Sequence, residues 1–166
     1  MVDVAQLVEL RIVAPVVVGS IPIVHPIFFF PNLFYLVTAM SESIPYDIQV
    51  NVKAIYVAAQ SDPDEDVYVF AYTITISNIG TVAAQLLTRY WLITDADNKV
   101  QEVYGEGVVG AKPHLNPGES FEYTSSTVIA TPVGSMQGSY QLMADDGVRF
   151  EAKIPAFRLA QPHLIH

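Results

Sequence analysis

The string GEGVVG places Gly105, Gly107 and Gly110 in a G-x-G-x-x-G spacing. In dinucleotide-binding folds this spacing follows a strand and opens a helix whose N-terminus receives a pyrophosphate. Here AKPHLNPGE follows at once, and its two prolines exclude a helix at that point. A phosphate would be held by backbone N–H groups alone, with Lys112 as a helper and Glu106 as an opposing charge. We expect a structural glycine loop and keep a nucleotide or polyphosphate site as the alternative.

A structural role for these glycines makes a prediction about their backbone. At least one of them should have a positive φ, or should face a neighbouring strand that leaves no room for a side chain. If the glycines hold phosphate instead, a substitution that the backbone tolerates should leave the thermal stability unchanged and remove binding.

A second candidate is the acidic string SDPDEDV, in which Asp62, Asp64 and Asp66 fit positions 1, 3 and 5 of a calcium-binding loop. Val67 stands where that loop needs its turn glycine, and Thr73 stands where it needs a bidentate glutamate. The string therefore fails as a calcium motif. We interpret it as a solvated connection between two strands, with weak, nonspecific cation affinity as the alternative.

Histidines are the next candidates for metal binding. Beyond residue 40 they are His114, His163 and His166, and none has a second histidine two residues away on the same strand face. We expect His163 and His166 to belong to a C-terminal tail that packs through Leu164 and Ile165, rather than to a metal clamp. No metal site is predicted.

The sequence shows no recognisable pair of nucleophile and general base. Ser125, Ser126 and Thr127 fall in the middle of a strand pattern, without a G-x-S-x-G elbow and without an assignable base. The absence of cysteine excludes thiolate nucleophiles, disulfides and zinc–thiolate sites together. We therefore predict a protein that is not an enzyme and that carries no catalytic residue and no cofactor.

Length and charge limit the partners. A chain of 166 residues is expected to form one domain of ordinary size. Eight Lys and Arg residues against 17 Asp and Glu residues give a net charge of −9, which repels a nucleic-acid backbone. The cationic residues are scattered, so no basic stripe is predicted.

Residues 1–39 differ from the rest of the chain. They carry only three charged side chains, and their apolar stretch is interrupted by four prolines, so no window of 18 residues in it is free of them. The strings DVAQLVE and VVGSIP resemble the in-frame translation of a transfer-RNA gene. We expect residues 1–39 to be a non-native or disordered extension and residues 40–166 to be the domain, with a membrane anchor as the alternative.

The residues from Asp47 onward follow a period of two, which indicates strands. DVYVFAYTITISN predicts a long strand whose core face carries five apolar side chains: Tyr68, Phe70, Tyr72, Ile74 and Ile76. DIQVNVKAIYVAA changes phase between Val52 and Ile55, which predicts a bulge. QLLTRYWLITDAD, SFEYTSSTVIAT, SMQGSYQLMA and VRFEAKIPAF predict further strands, with turns at DADNK, LNPGE and DDG. Tyr90 and Trp91 are expected in the core.

About seven strands with short turns, no helical stripe beyond Met40 and no Cys-Trp-Cys pattern predict an all-β fold. We expect an antiparallel immunoglobulin-like or fibronectin III-like β-sandwich.

Several strings are more specific. VFAYTITISNIG, LLTRYWLITDAD, GEGVVGAKPHLNPGESFEYTS, TPVGSMQGSYQL and IPAFRLAQPHLIH resemble the ApaG family, also called CorD, from about Asp47 to His166 without an evident gap. The resemblance implies a bacterial protein with a fibronectin-like β-sandwich. It also implies an association with cobalt resistance and magnesium efflux, and no agreed catalytic residues. In eukaryotes the same domain is fused to F-box proteins and to a DNA-polymerase-delta interacting protein.

Those fusions indicate a binding module. We therefore expect a non-enzymatic domain that presents a sheet edge or a loop end to a protein partner in the cytoplasm, without contact to nucleic acid or membrane. The alternative is a nucleotide-binding or polyphosphate-binding protein that uses residues 105–110.

Overall fold

The computed structural model describes residues 44–162 and, by its backbone alone, a strand at residues 10–13. In this part of the chain there are nine strands, two single-turn 3-10 helices (Ala58–Gln60 and Pro63–Glu65) and no α-helix. The strands are β1 (Leu10–Val13), β2 (Ile48–Tyr56), β3 (Tyr68–Asn78), β4 (Ala84–Asp95), β5 (Val100–Glu106), β6 (His114–Leu115), β7 (Ser120–Ile129), β8 (Val133–Ala144) and β9 (Arg149–Ala160). The two strands beyond the predicted seven are β1 and the two-residue β6.

Two antiparallel sheets form the fold. One has the strand order β1-β7-β3-β2, and the other has the order β5-β4-β8-β9, with β6 paired to the start of β4. Along one side of the molecule β2 lies against β9, whereas on the other side a cavity separates β7 from β4 and β5. The all-β, antiparallel sandwich predicted from the sequence is confirmed.

Strand β3 carries the core face that its alternation predicted. Phe70, Ile74 and Ile76 are fully buried and Tyr72 is nearly so, while Thr73 and Thr75 on the other face are partly exposed. The pattern succeeds because β3 lies in the middle of its sheet, between β2 and β7, and one of its faces covers the other sheet.

The prediction of a bulge in β2 is wrong. Ile48 to Tyr56 pair with β3 in one unbroken register, so Ala54 and Tyr56 continue the inward row and pack on the core. Ile55 faces outward and is 65% exposed. The apparent change of phase arose because Ile55 is an apolar residue at a solvent-facing position. The bulges lie in β4, between Leu86 and Thr88, and where β8 meets β9.

The predicted turns are confirmed. At LNPGE the Glu119 N–H donates to the Asn116 carbonyl over 2.9 Å, and Gly118 has φ +82°, as a type II turn requires. At DDG the Gly147 N–H donates to the Ala144 carbonyl over 2.9 Å, which joins β8 to β9. The DDG turn joins two paired strands, β8 and β9, whereas the LNPGE turn leads from β6 in one sheet to β7 in the other.

Two sequence-based predictions concern residues outside the described part. His163, His166 and the packing of the C-terminal tail lie beyond residue 162, and of residues 1–39 only the backbone of β1 is described. The expectations for the tail and for the extension therefore stay predictions. The backbone of β1 pairs antiparallel with the first four residues of β7, Ser120 to Tyr123.

Candidate functional site

The glycine loop forms a two-residue β-hairpin. The N–H of Val108 donates to the Ala111 carbonyl over 2.8 Å, and the N–H of Ala111 donates back over 2.9 Å. The two residues between them, Val109 and Gly110, have φ +50° and +77°. Positive φ at both central positions defines a type I′ turn, which suits the twist of a hairpin. The loop therefore ends a strand and reverses the chain, and no helix follows it.

Each glycine of the motif meets a different requirement. Gly107 has φ +57°, and a side-chain carbon there would overlap the carbonyl oxygen of Ala111. Gly110 needs its positive φ but faces open space. A side-chain carbon on Gly105 would lie 2.8 Å from the guanidinium carbon of Arg89. The expectation of a positive φ or a close approach is confirmed.

The polar groups of the loop are largely occupied. The Gly107 N–H donates to the Leu87 carbonyl over 2.8 Å, while the carbonyls of Glu106 and Gly107 accept from Nη1 of Arg89 over 3.1 and 2.8 Å. Lys112 Nζ lies 2.9 Å from the Glu106 carboxylate, and its hydrogen bond lowers the pKa of that carboxyl. This geometry favours the structural role, and nucleotide binding by Gly105, Gly107 and Gly110 stays a prediction.

Arg89 lies on the inner row of β4. Further along the same row, Trp91 and Ile93 are buried in the core, so the arginine side chain occupies a position that alternation assigns to the interior. Gly105 on the paired strand β5 removes the side chain that would otherwise stand where the guanidinium lies. The half-buried cation reaches the inter-sheet cavity because its neighbour is a glycine.

The cavity beside Arg89 has a volume of about 340 Å³. Its described lining mixes aromatic and aliphatic side chains with hydroxyl groups from β7, and Arg89 is the one charged residue in that lining. The residues concerned are Tyr72, Arg89, Trp91, Ile93, Gln101, Val103, Val109, Tyr123, Ser125, Ser126, Thr127, Val128 and Met136.

Three buried tyrosines lie at this cavity: Tyr72 and Tyr123 belong to its lining, and Tyr140 contacts Tyr123. The hydroxyls of Tyr123 and Tyr140 share a hydrogen bond of 2.6 Å in the core, and burial raises the pKa of both phenols well above the ordinary value. Burial also raises the pKa of Tyr72, although a hydrogen bond from Ser125 and the charge of Arg89 partly oppose that shift. All three phenols are neutral near pH 7 and cannot act as bases there.

The hydroxyl residues of β7 continue the inner row of a core strand. Phe121, Tyr123 and Ile129 on that row are buried, and the positions between them are Ser125 and Thr127, which line the cavity. The described lining contains no Asp, Glu or His that could activate these hydroxyls. The arrangement supplies hydrogen bonds and one positive charge, which suit binding.

The acidic string is a short surface connection between β2 and β3, as predicted. Asp62 and Val67 form an isolated bridge, and the single 3-10 turn Pro63–Glu65 lies between them. Asp62, Asp64 and Asp66 are exposed. Within residues 44–162, no three His, Cys, Asp or Glu side chains are grouped closely enough to hold a metal ion.

His114, the one predicted candidate histidine in the described range, makes a surface contact. Its Nε2 lies 2.8 Å from Oδ1 of Asp145, and both side chains are largely exposed. The contact joins β6 to the turn between β8 and β9. His114 therefore stabilises the turn between β8 and β9.

Strand β7 also contributes a sheet edge. On the side away from β3, β1 covers Ser120 to Tyr123, and no described strand covers residues 124–129. These six residues, TSSTVI, contain neither a charge nor a proline. By contrast, the edge strand β5 carries Glu102 and Glu106, and β9 carries Pro155 among alternating charges, which are features that discourage strand addition.

Sequence reasoning missed Arg89 and the cavity. A signal was present, since Arg89 interrupts the apolar inner row of LLTRYWLI and Ser125 and Thr127 interrupt that of SFEYTSSTVI. Polar residues at inward positions of a sandwich strand indicate either a hydrated gap or a binding site. The sequence alone does not show how the two sheets pack, and this packing brings Arg89 and the hydroxyls of β7 to the same cavity.

These features define a β-sandwich domain with an open side, a glycine hairpin and an arginine-bearing cavity. A family model described as the ApaG domain matches residues 58–144. Protein ApaG of Thiobacillus denitrificans is 61% identical over 127 residues, which are 76% of this chain and 100% of that protein. Protein ApaG of Methylococcus capsulatus is 62% identical over 122 residues, which are 74% of this chain and 97% of that protein. The chain belongs to the ApaG family.

A solved structure supports the same assignment. The crystal structure of the ApaA protein from Bordetella pertussis is 50% identical and superimposes with a TM-score of 0.70, over 72% of this chain and 97% of that one. No helix long and apolar enough to cross a membrane occurs in the part of the chain that the structure describes.

Proposed function

We propose that this protein is a non-enzymatic binding module that captures an extended segment of a protein partner at the edge of β7 that no described strand covers, residues 124–129. The observation that carries the proposal is the pairing of β1, which already adds to the first four residues of that edge as an antiparallel strand. The edge continues beyond β1 along residues 124–129. A partner segment there would complete a row of backbone hydrogen bonds.

The chemistry of this edge supports capture of a strand. Exposed sheet edges of soluble proteins are commonly protected by charges, prolines or bulges, and residues 124–129 have none of these. Val128 of the same segment, which also borders the inter-sheet cavity, is 38% exposed. An extended, uncharged segment with β-branched side chains is the complementary partner.

The lack of an activating group in the described lining of the cavity agrees with a binding role. The association with cobalt resistance and magnesium efflux that the family resemblance implies is, in this proposal, exerted through the partner. A cysteine-free chain suits the reducing cytoplasm, where we place the interaction. Net charge −9 disfavours nucleic acid as the partner.

The test compares three full-length proteins: the wild type, Val128→Lys and Ile55→Lys. Ile55 is the matched control because it is an exposed apolar residue of the same sheet, far from the β7 edge. Partners isolated from cell extract are identified, purified and titrated against each protein. We expect Val128→Lys to weaken binding by about tenfold or more, because a charge at an edge opposes strand addition, and Ile55→Lys to bind as the wild type does.

Hydrogen exchange locates the contact on the wild type. The partner should slow exchange of the amides in residues 124–129 without affecting the glycine loop. Equal affinity of the wild type and Val128→Lys, with protection elsewhere, would contradict the proposal. So would turnover of a nucleotide or dinucleoside polyphosphate that a single substitution abolishes.

A further inference from the structure

Arg89 carries a charge that no carboxylate neutralises within the described residues. The two ion pairs there join Lys112 to Glu106 and His114 to Asp145. Arg89 is only partly exposed, so water screens its charge less than it screens a surface arginine. The Arg89 guanidinium, which lines the inter-sheet cavity, therefore attracts an anion, even though the net charge of the whole chain is negative.

The hydrogen bonds of Arg89 leave one side of the guanidinium available. Nη1 donates to the carbonyls of Glu106 and Gly107, which fixes the plane of the group. Nε and Nη2 donate to no described residue. That pair of parallel N–H groups is the side that binds two oxygens of one carboxylate or phosphate.

The cavity beside Arg89 suits the rest of an organic anion. Its volume of about 340 Å³ falls at the lower end of the range typical of small-molecule sites, roughly 300–1,000 Å³. Trp91, Val103 and Met136 supply apolar surface, and the hydroxyls of Ser125 and Thr127 supply further hydrogen-bonding groups. A few polar groups in an apolar lining are the usual composition of a ligand site.

We propose that this inter-sheet cavity binds a small organic anion, whose carboxylate or phosphate group is held by the free side of the Arg89 guanidinium and whose apolar body packs against Trp91. In this arrangement the glycine motif has an indirect role. Gly105 leaves space for the guanidinium, and the hairpin turns the carbonyls of residues 106 and 107 toward Nη1 so that Arg89 is held in place.

Trp91 provides the readout. It is the single tryptophan of the chain and lines the cavity, so its fluorescence reports on an occupant without any label. Full-length protein is titrated with benzoate and with phenyl phosphate. Benzamide serves as the neutral control of the same shape as benzoate, and inorganic phosphate as the anion without an apolar body.

We expect saturable fluorescence changes with benzoate or phenyl phosphate, and binding of benzamide and inorganic phosphate that is at least about tenfold weaker. The stronger of the two organic anions identifies whether carboxylate or phosphate is the preferred group. Equal binding of benzoate and benzamide would overturn the proposal, as would equal binding of phenyl phosphate and inorganic phosphate.

Three variants assign the site. Arg89→Gln should weaken binding about tenfold or more, because it removes the charged fork. Arg149→Gln, at an exposed position on β9, is the control and should bind as the wild type does. Ser125→Val should also weaken binding, because it fills the cavity while keeping a residue that favours strands. The Ser125→Val variant tests the site independently, in case Arg89→Gln disturbs the hairpin. Unchanged affinity of both Arg89→Gln and Ser125→Val would refute the assignment.

Discussion

The substitutions Gly107→Ala and Gly110→Ala separate two physical requirements of the glycine hairpin. Both positions have positive φ, so an alanine at either one is placed in a left-handed conformation that costs about 1 kcal/mol or somewhat more. At Gly110 the added carbon meets open space, and no further cost arises. At Gly107 it overlaps the Ala111 carbonyl oxygen, and displacing backbone atoms costs roughly another 1–3 kcal/mol.

We therefore expect Gly110→Ala to lower the free energy of unfolding by about 1 kcal/mol and Gly107→Ala to lower it by about 2–4 kcal/mol. For a chain of this length, 1 kcal/mol shifts the melting temperature by about 2–4 °C. The expected decreases are thus about 2–4 °C and about 4–16 °C. Thermal melts and urea unfolding of the full-length proteins measure both quantities.

Calorimetry of the same proteins with ATP, GTP and a dinucleoside polyphosphate, with and without magnesium, tests the alternative use of the loop. On the structural interpretation any binding is weak, because the loop has no helix dipole and Glu106 opposes an anion. Equal stabilities of the two variants would contradict the steric argument. Tight nucleotide binding by the wild type, lost in a Gly107→Ala protein that melts as the wild type does, would show that the glycines hold phosphate.

Two further predictions concern the extension and the buried phenols. We expect the chain that begins at Met40 to melt at the temperature of the full-length protein, and a decrease of several degrees would show that the extension is part of the fold. Burial raises the pKa of Tyr123 and Tyr140, so both stabilise the fold fully below the unfolded pKa of about 10 and this stabilisation is lost as pH rises toward their folded values. Stability should therefore be nearly constant up to about pH 9 and fall above pH 10, with tyrosinate absorbance rising in two stages as the last phenols ionise on unfolding. Ionisation of all nine tyrosines before any loss of circular dichroism would contradict this.

The strands and turns were predictable because their causes are local. A strand places alternate side chains on opposite faces, so the alternation of β3 is written in the order of its residues. The turns at LNPGE and DDG depend on the residues that tolerate their backbone angles. β2 shows the limit of this reasoning, because Ile55 is apolar and exposed, and a pattern cannot tell an exposed apolar residue from a buried one.

The candidate site was less predictable because its parts come from distant segments. GEGVVG indicated a turn, and the positive φ values of Gly107 and Gly110 agree with that. However, the sequence does not state that Arg89 lies over Gly105, since this follows from the pairing of β4 with β5. The cavity depends in addition on the opposed sheet, which brings Ser125 and Thr127 to the same space.

The sequence by itself determined the class of fold, the family and most of the strands, because alternation, turn chemistry and family strings are properties of neighbouring residues. Tertiary structure alone decided which sheet edge no described strand covers and where the charge of Arg89 lies. Both depend on which strands become neighbours, and that choice is made by packing of the two sheets over the whole domain. The edge of β7 that no described strand covers and the cation at the open side of the sandwich are therefore consequences of topology.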